Sequence, residues 1–452
     1  MTTDRRRTAL FVLCAGMLMI VLDATIVNVA LPSIQTDLHF SHSSLAWVVN
    51  GYLITFGGLL LLAGRLGDLV GRRRMFLIGL TVFTLASAAC GAAQSQAMLI
   101  AARFVQGAGG AMTSAVILGM IVTMFPQPRE QAQAIGVYAF VASAGGSIGL
   151  LVGGVLTQAI NWHWIFFVNL PIGIVTGALS RRLLPNDAGL GLGQGADVLG
   201  AGLITSALML GVYAIVKPAP LLGIVSVALL VAFIAREATA SSPLMPLRLF
   251  RSRNVAGANL IQALSVAGMF GMFFLGALYL RQTLHYSALG IGLAFVPTTL
   301  IMGGLSLKYT ERLVTRFGAR STLVPGLVLI AGGMIWFARA PIHASYVVDV
   351  MPAMVLIGLG AGTCFPSLMT LAMSGATQAD AGLASGLVNT TMQVGGALGL
   401  AVLASIGSYH AAFLTGGVLV VVALAIGVFV LEGASSMRSS TNQGTVALAE
   451  GS

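Results

Sequence analysis

The chain is short of charge. Asp, Glu, Lys and Arg together make up 8% of its 452 residues, against 57% hydrophobic residues. A soluble domain uses roughly 25% charged residues to keep its surface in water, so most of this surface faces something else, and a lipid bilayer is the natural partner. Cysteine is scarce too. Cys14, Cys90 and Cys364 each lie inside an apolar run, with no ligand spacing and no even count, which argues against a disulfide framework and against a metal site. No grouping of histidines and carboxylates suggests catalysis, so an enzyme is not expected. The one long polar segment is the tail after residue 431, too short for a soluble signalling domain. The formal charge of +10 would suit nucleic acid if it made one continuous face. Its basic residues are instead dispersed in short loops, and no nucleic-acid partner is expected.

Long apolar runs are plentiful. About 20 such residues cross the hydrocarbon core as a helix, and runs at 8–31, 45–64, 75–95, 97–123, 132–158, 164–183, 197–216, 220–238, 254–280, 287–307, 319–339, 347–373, 383–407 and 411–431 predict fourteen spans. Arg5-Arg6-Arg7 followed by an apolar stretch looks like a leader, but the stretch runs on to Leu31 without a small-x-small cleavage pattern, which favours a retained first helix. With the N-terminus inside, the outer loops hold Lys217, Arg281 and Arg339, Arg103 is embedded, and the other nineteen basic residues fall inside. That bias places both termini in the cytoplasm. All six histidines, His39, His42, His163, His285, His343 and His410, fall at the outer face. They are either tolerated interfacial groups or an outward pH- or metal-responsive patch. The 57 glycines suit closely packed membrane helices.

Two inner loops resemble each other, Gly64 to Arg73 and Glu311 to Arg320. Each joins the second and third helix of a six-helix group once spans 7 and 8 are set aside, an internal repeat of the kind transporters use. The expected organisation is a six-helix bundle at 1–183, a linker with two extra helices at 184–253, a second bundle at 254–431 and a disordered cytoplasmic tail at 432–452. The Gly189–Gly195 run lacks the strand and Lys of a phosphate loop and reads as a flexible linker. Gly145-Gly146-Ser147-Ile148-Gly149 fits the hydrolase elbow pattern but has no preceding strand.

Specific motifs sharpen the picture. Gly64, Leu66, Asp68, Gly71, Arg72 and Arg73 resemble the major facilitator motif between helices 2 and 3. Leu22 through Pro32 resembles the helix 1 motif of the fourteen-span drug:proton antiporters. Leu99 through Arg103, Gln106, Gly107, Gly109 and Gly110 resemble their helix 4 motif. Gly136, Gly145, Gly149, Gly153 and Gly154 resemble the helix 5 antiporter motif, with Leu150 where proline is usual. Trp162 through Phe166 with Asn169 through Gly173 resembles helix 6, with His163 in place of Arg. Asn389, Gln393, Gly395, Gly396 and Gly399 resemble helix 13, with Met392 in place of Arg.

The resemblance implies an all-α polytopic membrane protein with the major facilitator fold, two six-helix bundles plus two extra helices between them. It implies a proton-coupled antiporter that exports drugs or other small hydrophobic or cationic compounds from the cytoplasm across the inner membrane, as a monomer. No cofactor is implied beyond the proton gradient. The alternatives are a dedicated exporter of an endogenous metabolite or antibiotic, a nutrient symporter and a non-transporting sensor.

The residues themselves point to the coupling site. Asp23 is the one acidic residue, and Arg103 the one basic residue, read as lying deep in a span. Such a group costs at least about 2.5–3.5 kcal/mol, so it needs a partner or a task. Counted at 1.5 Å per residue, the two lie within roughly 5 Å of the same depth. They are expected to meet across the first bundle's cavity, where a carboxylate can carry a proton and attract a cationic substrate. Asp68 and Arg72, with the turn at Gly71, are expected to form a cytoplasmic gate. The Gly145, Gly149 and Gly153 face is expected to pack between the two bundles. Asn28, Tyr52, Phe56, Met269, Phe270, Asn389 and Gln393 are candidate substrate contacts.

Overall fold

The computed structural model describes residues 3–187, 189–191, 196–217, 219–240, 243–245, 247–341, 344–374 and 381–431. The tail expected at 432–452 lies outside the described residues, as do residue 218 of the expected outer loop at 217–220 and residues 192–195 of the Gly-rich run.

Among the described residues, fourteen long helices carry the fold. They are α1 (Thr3–Asp37), α2 (His42–Val70), α3 (Arg72–Gly91), α4 (Gln96–Met124) and α5 (Pro128–Ala159). Next come α6 (Trp164–Leu183), broken for one residue at Val168, α7 (Val198–Val216), α8 (Pro220–Thr239), α9 (Arg253–Gln282) and α10 (Ala288–Leu305). The set closes with α11 (Ala319–Phe337), α12 (Tyr346–Met373), α13 (Ala381–Ser405) and α14 (Tyr409–Phe429). Among the described residues, 13 are long and apolar enough to cross a membrane; α5 is not one of these 13 and shows a shorter apolar stretch, Ala144–Ala159. No strand occurs among them. Short polar residues start the helices. Ser41, Ser95, Ser252, Ser287 and Ser408 each accept a backbone N–H at an N-cap, satisfying groups that lipid cannot.

The last six helices repeat the packing of the first six. In the first set α1 packs on α5 and α6, α4 on α2 and α3, and α3 on α6. In the second, α9 packs on α13 and α14, α12 on α10 and α11, and α11 on α14. Details repeat as well. Gly71 (φ 100°) and Gly318 (φ 87°) make the same left-handed turn, which glycine adopts without steric cost. Just beyond each turn an arginine reaches the end of a distant helix: Arg73 donates to the Arg181 carbonyl on α6, and Arg320 to the Val428 carbonyl on α14. The α3/α4 and α11/α12 crossings use matched glycines. A Cβ on Gly109 would lie 2.9 Å from the Gly79 carbonyl, and one on Gly326 would lie 2.9 Å from the Gly360 carbonyl.

The halves meet along two seams, α2 with α13 and α5 with α10. In the first, Gln393 packs over Gly57, and Gly386 over Leu61. In the second, a Cβ on Gly154 would lie 2.8 Å from the Leu289 Cα, and one on Gly292 would lie 2.5 Å from the Leu150 carbonyl. Hydrogen bonds tie the same end: Gln282 donates to Gln35 (3.0 Å), Tyr409 donates to Gln282 (2.7 Å) and the Leu289 N–H donates to Gln158 (3.2 Å). Towards the other end, a Cβ at Gly136 on α5 or Gly304 on α10 would meet open space.

This packing corrects the expectation for helix 5. The Gly145, Gly149 and Gly153 face does not lie between the bundles. It packs on α1 of the same bundle, Gly145 against Leu18 and Val21, Gly149 against Thr25 and the Leu22 carbonyl, and Gly153 against Ile26. The helix turns about 100° per residue, so the neighbouring Gly154 faces α10 instead. The extra pair, α7 and α8, packs together, and α7 leans on α2 and α13, with Tyr213 6.3 Å from Trp47.

Candidate functional site

Asp23 and Arg103 meet. Arg103 Nη1 lies 2.6 Å from Asp23 Oδ2, and both side chains have 0% exposure. Their surroundings come from five helices. On α4, three residues beyond Arg103 and so on the same face, Gln106 donates to Asp23 Oδ1 (2.7 Å) and to Ser87 on α3 (2.8 Å), while its own carbonyl accepts from Arg103 (2.6 Å). Asn169, where α6 restarts after its break, donates to Asp23 Oδ1 at 3.0 Å. Arg103 Nε reaches the Val48 carbonyl of α2 at 2.8 Å. The glycines of the helix 4 motif make that reach possible. A side chain at Gly107 would collide with Thr55 and the Tyr52 carbonyl, and one at Gly110 would press on Tyr52 and Phe56.

The pair does not face each other across a cavity, as the sequence suggested. It is enclosed in the core of the first bundle, with the Tyr52 ring 4.5 Å and the Phe166 ring 5.7 Å from the guanidinium carbon. A buried ion pair is sustained when the remaining polar atoms are also bonded. Asp23 accepts three hydrogen bonds here. Arg103 Nη2, the Tyr52 hydroxyl and Asn169 Oδ1 are buried without a partner, so the network keeps spare donors and an acceptor around the carboxylate.

The substrate candidates fall in separate places. Tyr52 and Phe56 belong to the enclosed core, with ring centroids 5.5 Å apart. Asn28 is half-buried, and its amide is turned back to its own helix at Ala24 (3.2 Å). Gln393 is buried in the α2/α13 seam with its Oε1 unpartnered, and Asn389, half-buried, stands one turn before it. Met269 is buried, while half-buried Phe270 covers Gly396.

In the inner-loop motif, Arg72 holds Asp68 (2.8 Å), the Gly119 carbonyl (3.0 Å) and Thr123 (3.0 Å). The motif thus clamps α2, α3 and α4 together. A further carboxylate joins from the linker: Asp187 accepts from the Arg72 N–H (2.6 Å) and the Arg73 N–H (3.2 Å), capping α3. The Leu190 and Gly191 amides then donate to the Asp68 and Leu69 carbonyls (2.9 and 3.0 Å). The start of the Gly-rich run is therefore docked on the motif, contrary to the flexible reading.

A second acid is also buried within a span. Glu237 of α8 is 4% exposed and accepts the Met245 N–H at 2.7 Å. Asp23 was the one acid expected deep in a span, whereas Glu237, at the end of the 220–238 run, is covered by the following segment folding back through Met245. Ser87, Asn169 and Asp187 were also missed as site residues. The signal for Asn169 was present, a lone amide inside an apolar motif. Asp187 gave none, because its partners are more than a hundred residues away.

Two repeated six-helix bundles, glycine-packed seams between them and a buried charge network in one bundle define a polytopic membrane carrier. The chain belongs to the Major Facilitator Superfamily, whose family model matches residues 13–400. It is 37% identical to the puromycin resistance protein pur8 of Streptomyces alboniger, over 94% of this chain and 90% of that one. It is 38% identical to the cephamycin export protein CmcT of Amycolatopsis lactamdurans, over 89% and 85%. The fold is similar to that of the human organic anion transporter MFSD10 (TETRAN), with a TM-score of 0.64 and 17% identity, covering 94% of this chain and 100% of that one.

Proposed function

We propose that the protein exports drugs or other small hydrophobic compounds from the cytoplasm in exchange for protons, by alternating access, with both termini cytoplasmic. The observation that carries the coupling is the enclosed Asp23–Arg103 pair. A carboxylate in this setting changes its proton affinity when its cationic partner moves or water enters, and rocking of the helices that hold it would do either. Relatives named for antibiotic resistance and export support the substrate class. Because some are named for a single compound, dedicated export of one antibiotic or metabolite is the second reading. Asp23 is shut inside the first bundle, so substrate recognition belongs to the seam between the halves. The seam is closed at the end holding Gln35, Gln158 and Gln282, which we assign to the outside.

The test is purified protein in vesicles with an imposed pH gradient, following substrate uptake and internal pH together. Uphill transport that consumes the gradient is expected. Transport of the same compounds with the gradient collapsed would refute coupling. A susceptibility panel in a pump-deficient host separates broad from dedicated export by the number of unrelated compounds affected.

A further inference from the structure

Five arginines converge where α1, α3 and α6 end together. Arg5 donates to the Arg182 carbonyl at 2.7 Å, Arg73 donates to the Arg181 carbonyl, and Arg74 follows Arg73 in the first turn of α3. These bonds consume few of the five N–H groups each guanidinium carries. The acids nearby are engaged elsewhere: Asp68 with Arg72, Glu130 with Arg6, and Asp187 with the α3 backbone. None of the five arginines forms an ion pair among the described residues. Arg73 Nε is moreover buried without an acceptor.

The surface leading up to this cluster is apolar. On α3, Arg74 shares one face with Ile78 and Leu85, which are 51% and 67% exposed. On α6, Arg182 shares one face with Ile174 and Val175, 65% and 57% exposed. The two helices pack through Gly173 against Thr84 and Gly177 against Leu80, so the two faces adjoin. A ligand fitting both parts has an anionic head and long apolar tails.

We propose that the α3/α6 face is a binding site for one anionic phospholipid. Its phosphate sits among Arg73, Arg74, Arg181 and Arg182, where guanidinium forks suit phosphate oxygens. Its acyl chains lie along Ile78 and Leu85 of α3 and Ile174 and Val175 of α6. Zwitterionic lipid carries a compensating cation in its head group and gains less here. Free phosphate lacks the chains.

The test is native mass spectrometry of the full-length protein in detergent, titrated with dioleoylphosphatidylglycerol or dioleoylphosphatidylcholine. The wild type should retain one phosphatidylglycerol at least tenfold more strongly than phosphatidylcholine. Each arginine near an anionic lipid contributes roughly fivefold in affinity, so Arg74→Gln/Arg181→Gln/Arg182→Gln should weaken retention by about two orders of magnitude. The corresponding triple Lys variant keeps the charge and should lose less. If the Gln triple does not fold, Arg182→Gln alone should still weaken retention severalfold. Arg251→Gln/Arg312→Gln/Arg316→Gln removes equal charge elsewhere and should bind as wild type does. Equal retention of the two lipids, undiminished binding by the Gln variants, equal loss in the charge-matched control, or displacement by millimolar inorganic phosphate would each overturn the proposal.

Discussion

Replacing Asp23 by Asn keeps the side chain's size and removes its charge. Within the enclosed network no orientation of the new amide satisfies its neighbours. With its oxygen towards Gln106 and Asn169, its NH2 group opposes Arg103 Nη1; turned over, it opposes the NH2 groups of Gln106 and Asn169. Such a mismatch costs about 1–3 kcal/mol, and a buried charge stripped of its partner costs about 3–5 kcal/mol. The reciprocal change, Arg103→Gln, should be milder. A lone carboxylate escapes its penalty by binding a proton, whereas a guanidinium cannot lose one. The expected order of melting temperature in detergent is therefore wild type, then Arg103→Gln, then Asp23→Asn. The double variant Asp23→Asn/Arg103→Gln should recover much of the stability, because no unpaired charge remains. Transport divides the possibilities. If the pair carries the proton, the double variant folds yet fails to move substrate against its gradient in pH-loaded vesicles. If the pair only holds helices together, the double variant exports like wild type, and that result would refute the coupling argument. Equal destabilisation by the two single changes would refute the account of the network.

Three further outcomes follow from the packing. Gly149→Ala should lower thermal stability, since its Cβ collides with Thr25 and stands 3.0 Å from the Leu22 carbonyl; adding Thr25→Ala should restore part of the loss, and no restoration would mean that another contact decides. Gly154→Leu should leave helix content intact yet block turnover by wedging α5 from α10, so normal transport by this variant would remove the seam from the mechanism. Asp187→Ala should cost about 0.5–2 kcal/mol as a lost helix cap, and Asp187→Asn should lose part of that, because the two backbone N–H groups use separate carboxylate oxygens and an amide keeps only one acceptor; a fully stable Asp187→Asn would mean that the second bond contributes nothing.

Much of this architecture was legible from short-range patterns. Span length gave the helices, and loop arginines gave a self-consistent fourteen-span arrangement. The meeting of Asp23 with Arg103 followed from depth counting, because helix rise is fixed. Rotation about the axis was not legible in the same way. One residue's turn separates Gly153, which faces α1, from Gly154, which faces α10. The same uncertainty put Asp23 at a cavity wall when its helix turns it into the bundle core. Contacts between distant loops, such as Asp187 with the start of α3, carry no local signature at all.

The matched glycine crossings also fix a correspondence between the halves. Arg103 precedes Gly109 by the same six positions that separate Met354 from Gly360. Met354 is as fully buried as Arg103, but its side chain carries no charge, and the neighbouring helix reaches it through a threonine hydroxyl that donates to its carbonyl, Thr298 at 3.1 Å. One scaffold thus occurs twice with unequal obligations. In the first copy a substitution at this crossing strands a charge. In the second it meets a pliable thioether side chain that tolerates repacking. Tolerance to mutation is therefore lopsided: the second copy can absorb a change at this crossing that the first, with its charged network, cannot.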